Sequence, residues 1–490
     1  MKTENSGTVT SRIGLLSIPF MLGFFLVGTT GFDLLPNLGV FNGKRIVELV
    51  ILLLIPLAAL ASRTGRDAFE SQLATIPTWL WVGLAAVFAI GIVSALRFDP
   101  PAYGLLEMAL PAMLIIALIA TAASRRMTGE SFDRLGILII VAMTIMVVVT
   151  EAMGMAVAWA QGLEFSSKRM LIRFSTPRFY NQLQTYCIPL AITLPFIFHT
   201  RNFLKPAAVA LLGCLWCLVF ISGGRGTIVA VLSAMAVTAL VFPAVRRAWL
   251  GWHGLGVILG MLLFIGVNEI QSVDDTGDNR LLKESVGRPL LSSSGRNDMW
   301  ARSVEQARHS PILGSGPGRF SCGTPLTLPS HPHNFLMRIL SEMGWIAFFG
   351  VIVICNWLGW RLFHQSRKRM ADDDPQPVLT AMLFCSVLAG AIHAFVSGVL
   401  IMPAGQVMTI LVCAWCMGRF SVPETARGKS PSTAVAVLVA GLLLAGTVTA
   451  FSISEVGQMN ERTRDLRKTT YYMPRYWHYG RSCNYTYENK

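Results

Sequence analysis

Apolar residues run through this chain in long blocks parted by short polar loops, at about 13–32, 46–62, 78–96, 105–123, 135–160, 182–198, 206–222, 227–245, 253–269, 335–360, 378–398, 402–418 and 433–453. Most approach the ~20 residues that an α-helix needs to cross the hydrocarbon of a bilayer. Helix is the expected spanning element, because in lipid each segment must satisfy its own backbone hydrogen bonds. The eleventh and twelfth blocks are parted only by a tight turn near Met402-Pro403, and the last can lie at the periphery. The pattern predicts an all-α polytopic membrane protein with about twelve to thirteen transmembrane helices. It divides into an N-terminal bundle of about nine spans (1–269), a large polar loop (270–334), C-terminal spans (335–453) and a polar, tyrosine-rich tail (454–490).

Composition agrees with this pattern. Of 490 residues, 53% are hydrophobic and 14% charged, against about a quarter charged in soluble chains. The net charge of +14 sits mainly in short inter-span loops, where membrane topology accounts for it without a nucleic-acid partner. With the N-terminus cytoplasmic, the inner loops hold Arg63 and Arg66, Arg125, Arg126 and Arg134, Arg201 and Lys205, Arg246 and Arg247, and the run Arg367-Lys368-Arg369. The first block lacks a small-x-small cleavage site and reads as a retained span. Most of the nine cysteines lie in apolar runs, and only Cys322 and Cys483 fall in polar segments, where they can pair if the tail is on the outer side.

The loop 270–334 is then outside, and loops of this length are usually functional. Within it, 297–308 predicts a short amphipathic helix, and GSGPGRF (314–320) predicts an irregular turn. The outer segment 161–181 carries Lys168, Arg169, Arg173 and Arg178 against the topological bias. Arg225 in SGGRGT, Arg296 in SGRNDMW and Arg319 in GPGRF fall on the same face, with His331 and His333 closing the loop. Arginines beside lipid are costly unless they meet an anion, and a guanidinium fork matches phosphate oxygens two at a time. A phosphate-bearing headgroup at the outer boundary is the physical reading; ordinary anionic lipids and acids of the loop are the plainer partners. His331-Pro332-His333-Asn334 leaves three readings open: a metal site that lacks an evident third ligand, a catalytic base, or a helix cap by Asn334. Arg338 and Glu342, four apart on one helical face, suggest a structural pair. His393 and Glu151, inside spans, read as core polar groups. A carrier with an outer anion site is the competing class, but no internal repeat is visible.

The order SGRNDMW, PILGSGPGRF, HPHNFLMRILSEMGW resembles the signature region of the O-antigen ligase and O-antigen polymerase superfamily. SGGRGT is similar to that family's Ser-x-Arg-small motif, and RFYNQLQTY to its aromatic-Asn stretch. The likeness covers roughly 165–350. It implies a C-type glycosyltransferase-like membrane fold and transfer of a glycan from undecaprenyl pyrophosphate on the periplasmic face of the bacterial inner membrane. The acceptor is the lipid A-core for a ligase, another lipid-linked unit for a polymerase and a protein hydroxyl for other relatives. By motif, His333 matches the catalytic histidine, and Arg225 and Arg296 match the pyrophosphate-binding arginines. Arg173, Arg178 and Arg319 are further choices for the same anion, and His331, Asn334 and Glu342 are supporting groups. The resemblance implies no metal and no cofactor, and nothing in the chain demands more than a monomer.

Overall fold

The computed structural model describes residues 35, 38–163, 174–198, 203–270, 295–320, 322, 329–420, 431–462 and 475–477. Within them every regular element is helical. The helices are α1 Val40–Leu60, α2 Arg63–Ala74, α3 Thr78–Leu96, α4 Ala102–Thr128, α5 Glu130–Ala160, α6 Pro177–Ala191, α7 Leu194–Ile197, α8 Leu204–Ile221, α9 Arg225–Val241, α10 Arg246–Ile270, α11 Arg296–His309, α12 Phe335–Ala371, α13 Pro377–Ala394, α14 Pro403–Phe420 and α15 Pro431–Arg462. Apart from α2 and α11, they occupy the apolar blocks read from the sequence; the first block, 13–32, lies outside the described residues.

Among the described residues eight helices are long and apolar enough to cross a membrane, or nine if α1 and α2 count as one span bent by 105°. Of the twelve or thirteen expected spans, block 13–32 lies outside the described residues, and the other differences have local causes. Proline interrupts the α6 block at Pro189 and again at Pro195, and the helix stops at Ala191, where a missing N–H and ring clash break the ladder. Helix α9 has 17 residues, and α14 carries buried Gln406 and Arg419. These shorter helices are inner elements: α6 packs on α13, α14 on α4 and α9 on α13. The outer faces are apolar instead, with Leu240, Trp159 and Leu443 all largely exposed, as lipid contact allows.

Helix starts follow simple chemistry. Proline opens α6 and α13, where its missing N–H costs nothing. Ser62 caps α2 by accepting from the Gly65 N–H. At one end of the bundle Asp133 ties three elements together. Its carboxylate accepts from Arg125 at 3.1 and 2.8 Å, from the Trp415 indole at 2.6 Å and from Arg419 at 2.6 Å. Arg419 also reaches Asp374 at 2.8 Å. All these groups are buried, and removing one partner strands the others. We expect Asp133→Asn to cost about 3–5 kcal/mol, read as a lowered Tm in detergent. An unchanged Tm would mean that this cluster does not hold α4, α5 and α14 together.

Helix α4 is 27 residues long, or about 40 Å, and its other end carries the loops that hold the candidate chemistry.

Candidate functional site

Four backbone elements converge at that end: the start of α6, the α8–α9 turn, the start of α11 and the 329–334 segment that leads into α12. The α8–α9 turn explains SGGRGT. Gly223 has φ +60°, a conformation that side chains resist. A Cβ on Gly224 would stand 2.6 Å from Asn181 Nδ2, so this glycine lets α6 approach. The Ser222 hydroxyl donates to Asn181 Oδ1 at 2.8 Å, and the Thr185 and Thr227 hydroxyls donate to the Asn181 carbonyl at 2.9 and 3.0 Å. Arg225 then opens α9. Gly295, in the left-handed region at φ +77°, turns the chain into α11, which Arg296 opens.

The arginines come together. Arg296 is half-buried, and its Nε donates to the Val396 carbonyl at 3.1 Å. Burial, then the charges of Arg178 and Arg225, pull its guanidinium below the usual arginine range. His333 is pushed down to about 3 by burial and by the charges of Arg178 and Arg296. Its imidazole is therefore neutral near pH 7. Arg178, Arg225, Arg296 and His333 form one electropositive cluster. Arg173 lies outside the described residues. Arg319 sits elsewhere: its guanidinium stacks on the Phe98 ring at 4.2 Å, and it is not among the charges that act on Arg296 or His333.

His333 has φ +53°, which costs a non-glycine residue roughly 1–2 kcal/mol. Two contacts hold it there. Its own N–H donates to His331 Nδ1 at 3.2 Å, and the Trp300 indole donates to the Pro332 carbonyl at 3.1 Å. As the acceptor, His331 Nδ1 is unprotonated, so the neutral ring carries its proton on Nε2. Burial, and behind it His333, Arg475 and Arg338, press the His331 ring well below the usual imidazole range. A Cβ on Gly398 would stand 2.6 Å from His331 Cε1, so the ring lies on that glycine. Trp300 is the aromatic residue that follows Arg296 by one helical turn, which explains the Arg-aromatic pairing in SGRNDMW.

Asn334 caps α12, its Oδ1 accepting from the Leu336 and Met337 N–H groups at 2.9 and 3.2 Å. Of the three readings of HPHN, the cap describes Asn334, and the His333 imidazole is neutral. Among the described residues no three His, Cys, Asp or Glu side chains group as a metal site.

PILGSGPG and SEMGW fit each other. Helix α12 breaks at Gly344, with φ +78° and ψ −175°. A Cβ there would stand 2.5 Å from the Pro311 carbonyl oxygen, and one on Gly314 2.3 Å from the Glu342 carbonyl carbon. The opened turn donates and accepts across the seam: Trp345 N–H to Pro311 O at 2.8 Å, Ser315 N–H to Ser341 O at 2.8 Å and Gly316 N–H to Glu342 O at 3.0 Å.

The part that Arg475 of the tail plays behind the site went unread in the sequence. Glu342 pairs with Arg475 of the tail, at 2.7 Å, and also interacts electrostatically with Arg338. Tyr476 and Trp477 of the tail are buried. They pack inside because Arg475 is drawn to two carboxylates within the bundle. His393 accepts or donates at 2.7 Å to Thr185 and lies within electrostatic reach of Arg296, so this core histidine backs the arginine cluster. Cys322 is disulfide-bonded, while Cys483 lies outside the described residues.

No curated protein matches the chain. Residues 208–352, which hold Arg225, Arg296 and the HPHN segment, match the family model described as O-antigen ligase. Over these residues, and within an all-helical fold with long apolar helices, the chain is similar to the O-antigen ligase and O-antigen polymerase superfamily, a glycosyltransferase-like enzyme family.

Proposed function

We propose that the chain is an O-antigen ligase that moves a glycan from undecaprenyl pyrophosphate to a sugar of the lipid A-core. It works on the periplasmic face of the bacterial inner membrane, with its N-terminus cytoplasmic. One observation carries this reading: Arg178 and Arg296 act on a neutral histidine, His333, and Arg225 acts with Arg178 on Arg296. Three cations held close repel one another, and a pyrophosphate relieves that repulsion with oxygens that match guanidinium forks.

The acceptor hydroxyl oxygen attacks the anomeric carbon while the bond to the pyrophosphate oxygen breaks, its electron pair leaving with the phosphate. His333 takes the hydroxyl proton. The arginines stabilise the charge that develops on the leaving group. A single in-line displacement inverts the anomeric centre. Positive charge comes from side chains on this account, and transfer proceeds in EDTA.

Purified protein in vesicles with lipid-linked glycan and lipid A-core tests the proposal. Glycan attached to the core with inverted configuration supports it. Glycan attached only to another lipid-linked unit makes the chain a polymerase, attachment to a protein hydroxyl makes it a protein glycosyltransferase, and label moving across the vesicle without product makes it a carrier. Loss of transfer in EDTA with recovery in zinc would sink the metal-free mechanism.

A further inference from the structure

The tail tripeptide Arg475-Tyr476-Trp477 is buried in the bundle directly behind the histidine segment. The Arg475 guanidinium makes four hydrogen bonds and one further ion-pair contact. Nε and one Nη clasp Glu107 of α4 at 3.2 and 3.3 Å. The Nη groups meet both oxygens of Glu342 in α12 at 2.7 and 2.9 Å. The last bond goes to the Ser330 carbonyl at 3.4 Å. Burial opposes its charge, and Glu107 and Glu342 outweigh that, holding the guanidinium above the usual arginine range.

The tripeptide is anchored from its other side. Arg45 of α1 donates to the Tyr476 carbonyl at 3.0 Å and the Arg475 carbonyl at 3.4 Å. Arg45 also binds Glu48, the Gln406 side chain at 2.6 Å and the Ile401 carbonyl at 2.7 Å. The Tyr476 hydroxyl lies 2.8 Å from Ser452 of α15. One short piece of chain thus joins α1, α4, α12, α14 and α15.

We infer that Arg475 is a positioning residue for the site: its guanidinium fixes the Ser330 carbonyl and Glu342, and through them the His331 ring that holds His333 in its left-handed backbone. This rests on the proposed role of His333. The chain of contacts runs Arg475 to Ser330, to its neighbour His331, to the His333 N–H. It does not pass through Arg178, Arg225 or Arg296. Loss of Arg475 therefore lowers kcat and spares donor binding. A purely structural residue would lower both together, or neither.

Arg475→Lys keeps one charge but cannot fork across two carboxylates. It is expected to lower kcat about 100-fold, as a misplacement of roughly 1 Å does, with the KM for lipid-linked donor within about twofold. Where this variant folds poorly, Arg475→Met combined with Glu107→Gln and Glu342→Gln removes the stranded charges and is expected to show the same split. A second readout needs no transfer: carbethoxylation of His331 and His333 by diethyl pyrocarbonate, mapped by mass spectrometry. Both rings should label about tenfold faster once their clamp is loosened, the order of change that loss of a supporting contact brings. Parent-like kcat and parent-like labelling in a folded variant would overturn the inference, as would equal losses in kcat and donor binding. If the parent transfers no glycan but labelling still responds to Arg475→Lys, the functional reading fails and the positioning role stands.

Discussion

Replacing His333 by alanine lowers glycan transfer by roughly 10²–10⁴-fold, while donor binding and protein level hold. The split follows from the geometry. The arginines that would meet the pyrophosphate are carried by α6, α9 and α11 and do not depend on the His333 ring, whereas the ring is a neutral base beside Arg178 and Arg296. His333→Gly sharpens the test. Glycine adopts φ +53° without strain and keeps the backbone N–H that donates to His331. We expect it to raise stability by about 1 kcal/mol and still abolish transfer to the same degree. Stability gained while activity falls marks a residue held in strain for chemistry. Near-normal transfer by either variant would remove His333 as the base.

The same residue sets a pH expectation. Its imidazole stands at about 3 because burial and two guanidinium charges disfavour the cation. In the donor-free protein it is neutral throughout the working range, and the pH profile of kcat/KM should show no acid limb near 6.5 from this group. A bound pyrophosphate adds negative charge beside the arginines and raises the basicity of the ring when the donor is in place, so the limb in kcat moves up. The stability consequence has the opposite look. The unfolded histidine binds a proton below about 6.5 and the folded one does not until about 3. Folding stability contributed by this group is therefore present above 6.5 and is lost as pH falls toward 3.

Much of the fold is legible in the pattern of apolar blocks, because spanning helices are specified by length and hydropathy alone. The match is close for α3, predicted and found at 78–96. The 105° bend between α1 and α2 was not legible, since Ser62 and Gly65 make a cap whose direction depends on packing. At the site, local motifs were readable because their contacts are largely short-range or repeated: Asn334 caps its own helix, and Trp300 sits one turn from Arg296. The glycines of PILGSGPG and SEMGW were visible, but not that each makes room for the other's backbone. Arg475 was hidden for a different reason. Its partners Glu107 and Glu342 lie 368 and 133 residues away, and a basic, aromatic tail looks alike whether it lies on lipid or inside the bundle. Arg319 shows the converse: a loop arginine beside glycines reads as an anion ligand, yet an aromatic ring is its partner.

Arg296→Lys is expected to reduce transfer on the order of 10²–10³-fold, and Arg225→Lys by a similar amount, although both keep a positive charge. Charge alone would attract the donor. The fork is what holds two phosphate oxygens at once and fixes the bridging pyrophosphate for in-line departure. Arg296 shows how its fork is aimed: Nε is already engaged by the Val396 carbonyl, which leaves the Nη groups for a ligand and sets the plane of the guanidinium. Lysine has no separate Nε–H on its stem to take the Val396 carbonyl while the head group binds, so its ammonium is not held in one plane. The defect should therefore fall on kcat/KM, with weaker donor binding and slower transfer together, unlike the kcat-only defect at His333. Rising salt should deepen it, because screening weakens the remaining point charge at an exposed mouth. The neutral Arg296→Gln also lowers the repulsion from Arg178 and Arg225, so it should stabilise the donor-free protein while transfer falls further still. If Arg296→Lys transfers glycan at the parental rate, a bidentate pyrophosphate clamp is the wrong description, and the cluster serves only as an electrostatic funnel.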